Sequence, residues 1–264
     1  MTTIIGITLK GVFRDRIFQG IMMLAVLFFF IPSAASLSMR QMTELTTTLS
    51  LSLISFILLL LAVFLGATSI WRDIERRYTF SVLSLPISRT SYLWGRFFGM
   101  ALFMLITATF LGLMALIAIK AATFGYPPSR PVVWNTIIIS ILYDVLKYIL
   151  VVAVTMLLAT VSTSFFLPVF GAISVFFAGS VSQPAYDYLN TPSAQTTVSV
   201  FVREAAVVLY YLLPNLSGFD LKVHAIYSIP LNIQGLLLTA LYFVIYIGIV
   251  LSIGILLFAR REMK

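Results

Sequence analysis

Six apolar runs limit what this chain can fold into more than anything else in it: residues 17–38, 49–70, 97–119, 136–160, 165–181 and 236–258. A helix rises 1.5 Å per residue, so about 20 apolar residues cross a hydrocarbon core of roughly 30 Å. Five of the runs reach that length, and 165–181 is shorter and carries Pro168 in its first turn. Pro32 is expected to bend the outer end of the first run. Composition agrees. The chain is 61% hydrophobic and 10% charged, where a soluble domain carries roughly 45–50% and 25%. The expected fold is all-α, a single transmembrane domain over 1–264 with about six transmembrane helices. The basic residues ahead of the first run do not read as a cleavable signal, because that run is too long and lacks a small-residue cleavage site.

Loop charge orients the chain. Lys10, Arg14, Arg16, Arg72, Arg76, Arg77, Arg89, Arg96, Arg260, Arg261 and Lys264 fall on one side, eleven basic residues against five on the other (Arg40, Lys120, Arg130, Arg203 and Lys222). The excess belongs in the cytoplasm, so both termini are expected there, which an even number of spans allows. The net charge of +8 is thereby a matter of topology in an inner (plasma) membrane, and nucleic acid is not an expected partner.

Two connections are long. Residues 71–96 lie on the cytoplasmic side of this scheme and 182–235 on the outer side. The outer one contains an apolar stretch, 198–213, interrupted by Arg203 and Glu204. A seventh span there would move Arg260, Arg261 and Lys264 outside, so a helical segment in or on the outer leaflet is expected. The run Pro214-Asn-Leu-Ser-Gly-Phe-Asp220 reads as a turn back into the membrane surface.

The inner connection repays closer reading. Ile74, Tyr78, Val82 and Leu85 recur at helical spacing, with Asp73, Glu75, Arg76 and Arg77 mostly on other faces. Pro86 ends that helix, and Ser88 is placed to cap a second one beginning near Arg89 and running into the third span. On physics alone, an interfacial helix whose arginines enforce topology is the plainer reading.

The same residues carry a resemblance. Glu75-Arg-Arg-Tyr-Thr-Phe-Ser-Val-Leu-Ser-Leu-Pro-Ile-Ser-Arg89, followed by Tyr92-Leu-Trp-Gly-Arg96, resembles the segment between spans two and three of ABC transporter type-2 permeases. It is most similar to the small permeases grouped with multicopper-enzyme maturation systems. A Gly-Thr pair common in that family reads Tyr78-Thr79 here. The resemblance implies that 73–88 is a coupling helix seated on a separate ATP-binding subunit, with Asp73, Glu75, Arg76, Arg77, Val82, Leu85, Pro86, Ser88 and Arg89 as its coupling residues. It also implies a pair of permease chains, a homodimer in the simplest case, and export along their interface or the outer leaflet surface.

The chain has no G-x-x-x-x-G-K-[ST] run, so ATP and Mg are expected on the partner P-loop subunit and no cofactor on this chain. With His224 the only histidine and no cysteine, neither a His-rich metal site nor a thiol nucleophile can be assembled, and no metal site is expected. Met22, Met23, Met39, Met42, Met100, Met104, Met114 and Met156 are the one soft-ligand alternative, and packing is the plainer role for them.

Asp144 and Lys147 form a possible intramembrane polar pair. Three positions apart, they share a helix face and can neutralise each other. A structural pair at a dimer interface, or a span starting later, is the plainer reading; a substrate-facing or proton-relaying pair is the functional one. The leading expectation is thus a transport subunit with no enzyme activity of its own. The alternatives are a secondary carrier, for which internal repeats would be expected, or an intramembrane enzyme using Asp144 and Lys147, for which one acid is poor material.

Overall fold

In a computed structural model, which describes residues 2–37, 41–75, 88–125, 128, 130–192, 194 and 198–260, helices make all the regular structure among those residues. They are α1 (Thr2–Phe13), α2 (Arg16–Met22), α3 (Ile31–Ala35), α4 (Met42–Glu75), α5 (Arg89–Gly125), α6 (Trp134–Val161), α7 (Phe166–Leu189), α8 (Val200–Leu212), α9 (Lys222–Tyr227) and α10 (Ile233–Arg260). Two 3₁₀ stretches, Met23–Phe30 and Ser217–Phe219, join α2 to α3 and precede α9. Six segments are long and apolar enough to cross a membrane: Arg16–Ala35, Met42–Asp73, Arg89–Phe124, Trp134–Val161, Phe166–Leu189 and Ile233–Arg260. A bent pair, Val200–Leu212 and Ser217–Tyr227 at 53°, makes seven if it counts as one span. The chain is a multi-pass integral membrane protein.

The spans differ from the sequence expectation mainly at their ends. The second helix starts at Met42 and continues to Glu75, and the third begins at Arg89 rather than at 97. Polar and charged turns extend both beyond the apolar stretch. The fifth is 24 residues long, carrying Pro184 inside it, so it is not a short span. Span one shows the largest change. Pro32 has no N–H to give Phe28, whose carbonyl instead accepts from Ile31 in a tighter turn, and the eight residues before it run as 3₁₀. The distortion therefore occupies the middle of the span and not its outer end.

α4 and α6 form the most extensive helix pair and the centre of the bundle. Within its most apolar window, α6 is 72% buried, against 22% for spans one and five. Ser55 meets Asp144, and Gly66 meets Thr155, with the same numerical offset in both contacts. The two helices therefore run parallel and in register. Leu58, Leu61, Leu65, Val151, Val152 and Ala159 fill the space around the deeper contact.

α1 lies against α5. A Cβ added at Gly95 would fall 2.8 Å from Ile4, and one at Gly99 would fall 2.7 Å from Thr8. Two glycines four residues apart thus make a shallow groove for two α1 side chains also four apart, the close approach that small-x-x-x-small spacing permits. Ala259, at the other end of the described chain, sits against Arg89. Both described ends therefore share one end of the bundle, here called the terminal end.

Between α7 and α10 the chain turns back on itself. α8 runs antiparallel to α7, with Tyr210 stacked on Tyr186 (4.3 Å) and Tyr210 donating to Gln183 (2.9 Å). At Pro214 the backbone reaches the middle of α7. Leu216 N–H donates to Gly179 (3.1 Å), and the Pro214 carbonyl lies 2.4 Å from where a Gly179 Cβ would be. Leu216 and Phe219 are fully buried. α9 then returns to the start of α6, where Ser228 donates to the Pro131 carbonyl (2.7 Å).

Candidate functional site

The sequence pointed to 73–89, and the structure describes its two flanks. Asp73, Ser88 and Arg89 are placed, as is the backbone of Glu75; Arg76, Arg77, Val82, Leu85 and Pro86 lie outside the described residues. Asp73 stands on the last turns of α4, in one helix with span two. Ser88 caps α5: its hydroxyl oxygen accepts from Ser91 N–H at 3.2 Å, and its carbonyl accepts from Tyr92 N–H at 3.1 Å. From Arg89 onward α5 is unbroken to Gly125, so whatever moves Ser88 moves the third span.

Both flanks are tied to the rest of the terminal end. Asp73 accepts from the Tyr92 hydroxyl and from the Arg96 guanidinium, which also lies 5.7 Å over the Tyr92 ring. These contacts bind the end of α4 to the start of α5. Arg72 pairs with Asp15 at 2.7 Å, and the other Asp15 oxygen caps α2 through Ile17 N–H at 2.9 Å. Arg89 donates to the Phe258 and Ala259 carbonyls (3.3 and 2.8 Å) in the last described turn of α10, while Tyr92 stacks on Phe258. Spans one, two, three and six are thus cross-linked by polar contacts within a few turns of the 75–88 connection. A cavity of about 190 Å³ among α1, α4 and α5 opens beside them, lined by Asp15, Arg72, Asp73 and Arg96.

From the sequence Arg72 reads only as a topological charge and Arg96 as that and as part of the resemblance; neither Asp15 nor the docking of α1 was found. The Gly95-x-x-x-Gly99 spacing against Ile4 and Thr8 was the available signal.

Asp144 and Lys147 are both buried in the bundle, 5% and 4% exposed; among the described residues no ion pair within 4 Å joins them, though each charge acts on the other. One Asp144 oxygen accepts from the Ser55 hydroxyl on α4. The Lys147 ammonium lies instead over the rings of Tyr148 (5.5 Å) and Phe176 of α7 (5.3 Å). The carboxylate turns toward α4, and the longer lysine stem reaches toward α7. Met100, Met104 and Met156 pack in the apolar core. Arg203 and Glu204 lie on α8, which has no buried residue.

Among the described residues, several polar atoms in the half of the bundle that holds Asp144 have no protein partner. They are Thr43 Oγ1 and Ser50 Oγ on α4, Ser140 Oγ and Asp144 Oδ1 on α6, and His224 Nδ1 on α9, all buried. This is not the usual habit of hydroxyls in apolar helices. Thr46, Thr47 and Thr48 of α4, and Thr155 of α6, each donate to the carbonyl four residues back at 2.7–2.9 Å. An unsatisfied buried polar atom costs about 1–3 kcal/mol. Five left dry would cost about 5–15 kcal/mol, as much as the whole stability of a typical domain.

No family model matches this chain, and no curated protein matches it.

Proposed function

We propose that this chain is the membrane-spanning subunit of an ATP-driven exporter whose ATPase is a separate polypeptide, with two permease chains and two ATPase subunits in the working assembly. The observation that carries the reading is the construction of the terminal end. A connection whose sequence resembles an ABC permease coupling helix is bracketed by two long, continuous helices. Asp73, Tyr92, Arg96 and Arg89 lock those helices to each other and to α10. A push on 75–88 from a cytoplasmic partner reaches spans two, three and six together, because charge-assisted hydrogen bonds tie the three to one another. The terminal end faces the cytoplasm in this reading, in keeping with its basic excess. α8, the Pro214 turn and α9 then form a hairpin that enters from the outer side and returns to it, leaving six crossings.

The absence of cysteine makes a direct test simple. Single-cysteine variants Val82→Cys and Leu85→Cys, treated with a short bifunctional thiol–amine cross-linker in native membranes, are expected to yield an adduct with a P-loop ATPase. Tyr211→Cys, at the opposite end, is expected to yield none. A complex that forms normally but shows no adduct at 82 or 85 overturns the placement of the coupling segment.

A further inference from the structure

Among the described residues, Arg96 Nε and Ser180 Oγ are isolated cases of buried polar atoms without a partner, while five others gather in one place. Thr43, Ser50, Ser140, Asp144 and His224 belong to one seam, where α4, α6 and α9 meet in the half of the bundle away from the termini. The Ser55–Asp144 contact sets the register. One turn nearer the opposite end on each parallel helix stand Ser50 and Ser140, 0% and 1% exposed. Further still, Thr43 lines a small cavity with Glu44, Arg130, Val132, Ala225 and Ser228, whose volume of about 10 Å³ is room for roughly one water. α9 adds His224 to the seam, and Lys222 and Asp220 lie close enough for their charges to act on Asp144. Asp144 faces Ser55 from α4, Lys147 and Tyr148 from its own helix, and Asp220 and Lys222 from the returning limb. Asp144, Asp220 and Glu44 are matched by Lys147, Lys222 and Arg130, which leaves little to hold a metal cation. A row of neutral donors and acceptors suits water.

Toward the terminal end the same interface changes character. Thr155 is buried, but its hydroxyl is satisfied within its own helix, and its neighbours are apolar. Polar atoms that want water stop at the level of Asp144.

We propose that the α4–α6–α9 seam holds a blind file of water molecules, open at the end of the bundle opposite the termini, which gives Asp144 access to protons from the solution on that side. Ionisable groups inside membranes that keep such access are usual carriers of proton-linked steps. The inference does not rest on the permease reading.

In the cysteine-free background, Ser50→Cys and Ser140→Cys are near-isosteric changes that place a thiol in the file, and Thr155→Cys places one in the dry half. Ag⁺ is small enough to follow water. It is added in chloride-free buffer to sealed vesicles of each orientation, and the surviving thiol is counted by maleimide after denaturation. Added on the side opposite the termini, Ag⁺ is expected to modify Ser50→Cys and Ser140→Cys about a hundredfold faster than Thr155→Cys, which reacts only through local opening of the interface. Two positions keep the test alive if one variant does not purify as a single species. Equal slow rates at 50, 140 and 155 overturn the proposal, as does faster reaction from the terminal side.

Discussion

Three carboxylates in this protein stand in two different worlds. At the terminal end Asp15 and Asp73 each collect two donors: Ile17 N–H and Arg72 for the first, the Tyr92 hydroxyl and Arg96 for the second. In the seam Asp144 has one, from Ser55, and an oxygen with no protein partner. Both regions lie among the ends and faces of the same helix, α4. What separates them is satisfaction. A network in which each carboxylate holds two donors costs free energy to rearrange and so transmits displacement as a unit. A half-engaged one relies on water and can change its proton count without moving a helix. The first suits a mechanical input and the second a chemical one.

The comparison breaks most visibly at Asp73. Asp73→Ala leaves the Arg96 guanidinium, 17% exposed, without its carboxylate. It should lower stability by about 3 kcal/mol on the scale measured for buried pairs broken from one side, read as the unfolding free energy in mild detergent. A loss near zero would mean that the tie is not tight. Gly99→Val comes next. Its side chain meets Thr8 where a Cβ alone would be at 2.7 Å, and the overpacking should cost about 1–3 kcal/mol by forcing α1 off α5. Faster proteolysis of α1 with the spans intact would report it, and unchanged protection would contradict the docking.

Ser55→Ala sharpens the contrast from the other side. In a dry seam it would strip Asp144 of its only protein donor and cost as much as Asp73→Ala. With water replacing the hydroxyl it should cost about 1 kcal/mol or less, since a water-mediated bond is nearly as good as a direct one, and the same unfolding measurement decides. Arg89→Ala should have the smallest effect. It removes two bonds to the α10 carbonyls, worth about 0.3–1 kcal/mol at a helix end. Loosening should be confined to the last turn of α10, read by hydrogen exchange at Phe258 and Ala259. Exchange changes spread along α10 would show the tie to be more than a cap.

Much of this architecture was legible beforehand, for a simple reason. In lipid the backbone must satisfy itself, so each long apolar run becomes a helix, and all six runs are matched by a membrane-length helical segment. Ser88 as a cap and Arg89 as a helix start were also readable, because capping depends on a few adjacent residues. Three things were not. The 3₁₀ stretch in span one follows from Pro32, but only the neighbours decide how far such a distortion spreads. The separate contacts of Asp144 and Lys147 were not readable, because helix spacing says which residues share a face and not where two long side chains point. The seam was hidden in scattered residues: Thr43, Ser50, Ser140 and His224 look like ordinary polar substitutions until α4, α6 and α9 bring them together. Polar residues on the faces of α4 and α6 that turned out innermost were the available signal.

The central claim is that energy enters this protein from outside its own chain, at 75–88. The most direct test is to purify it from native membranes in mild detergent, identify what accompanies it by mass spectrometry, and assay the eluate for ATP hydrolysis. A P-loop ATPase in stoichiometric amount with vanadate-sensitive turnover is the predicted result. The chain recovered alone and without turnover, from membranes whose other complexes survive the same extraction, would contradict it.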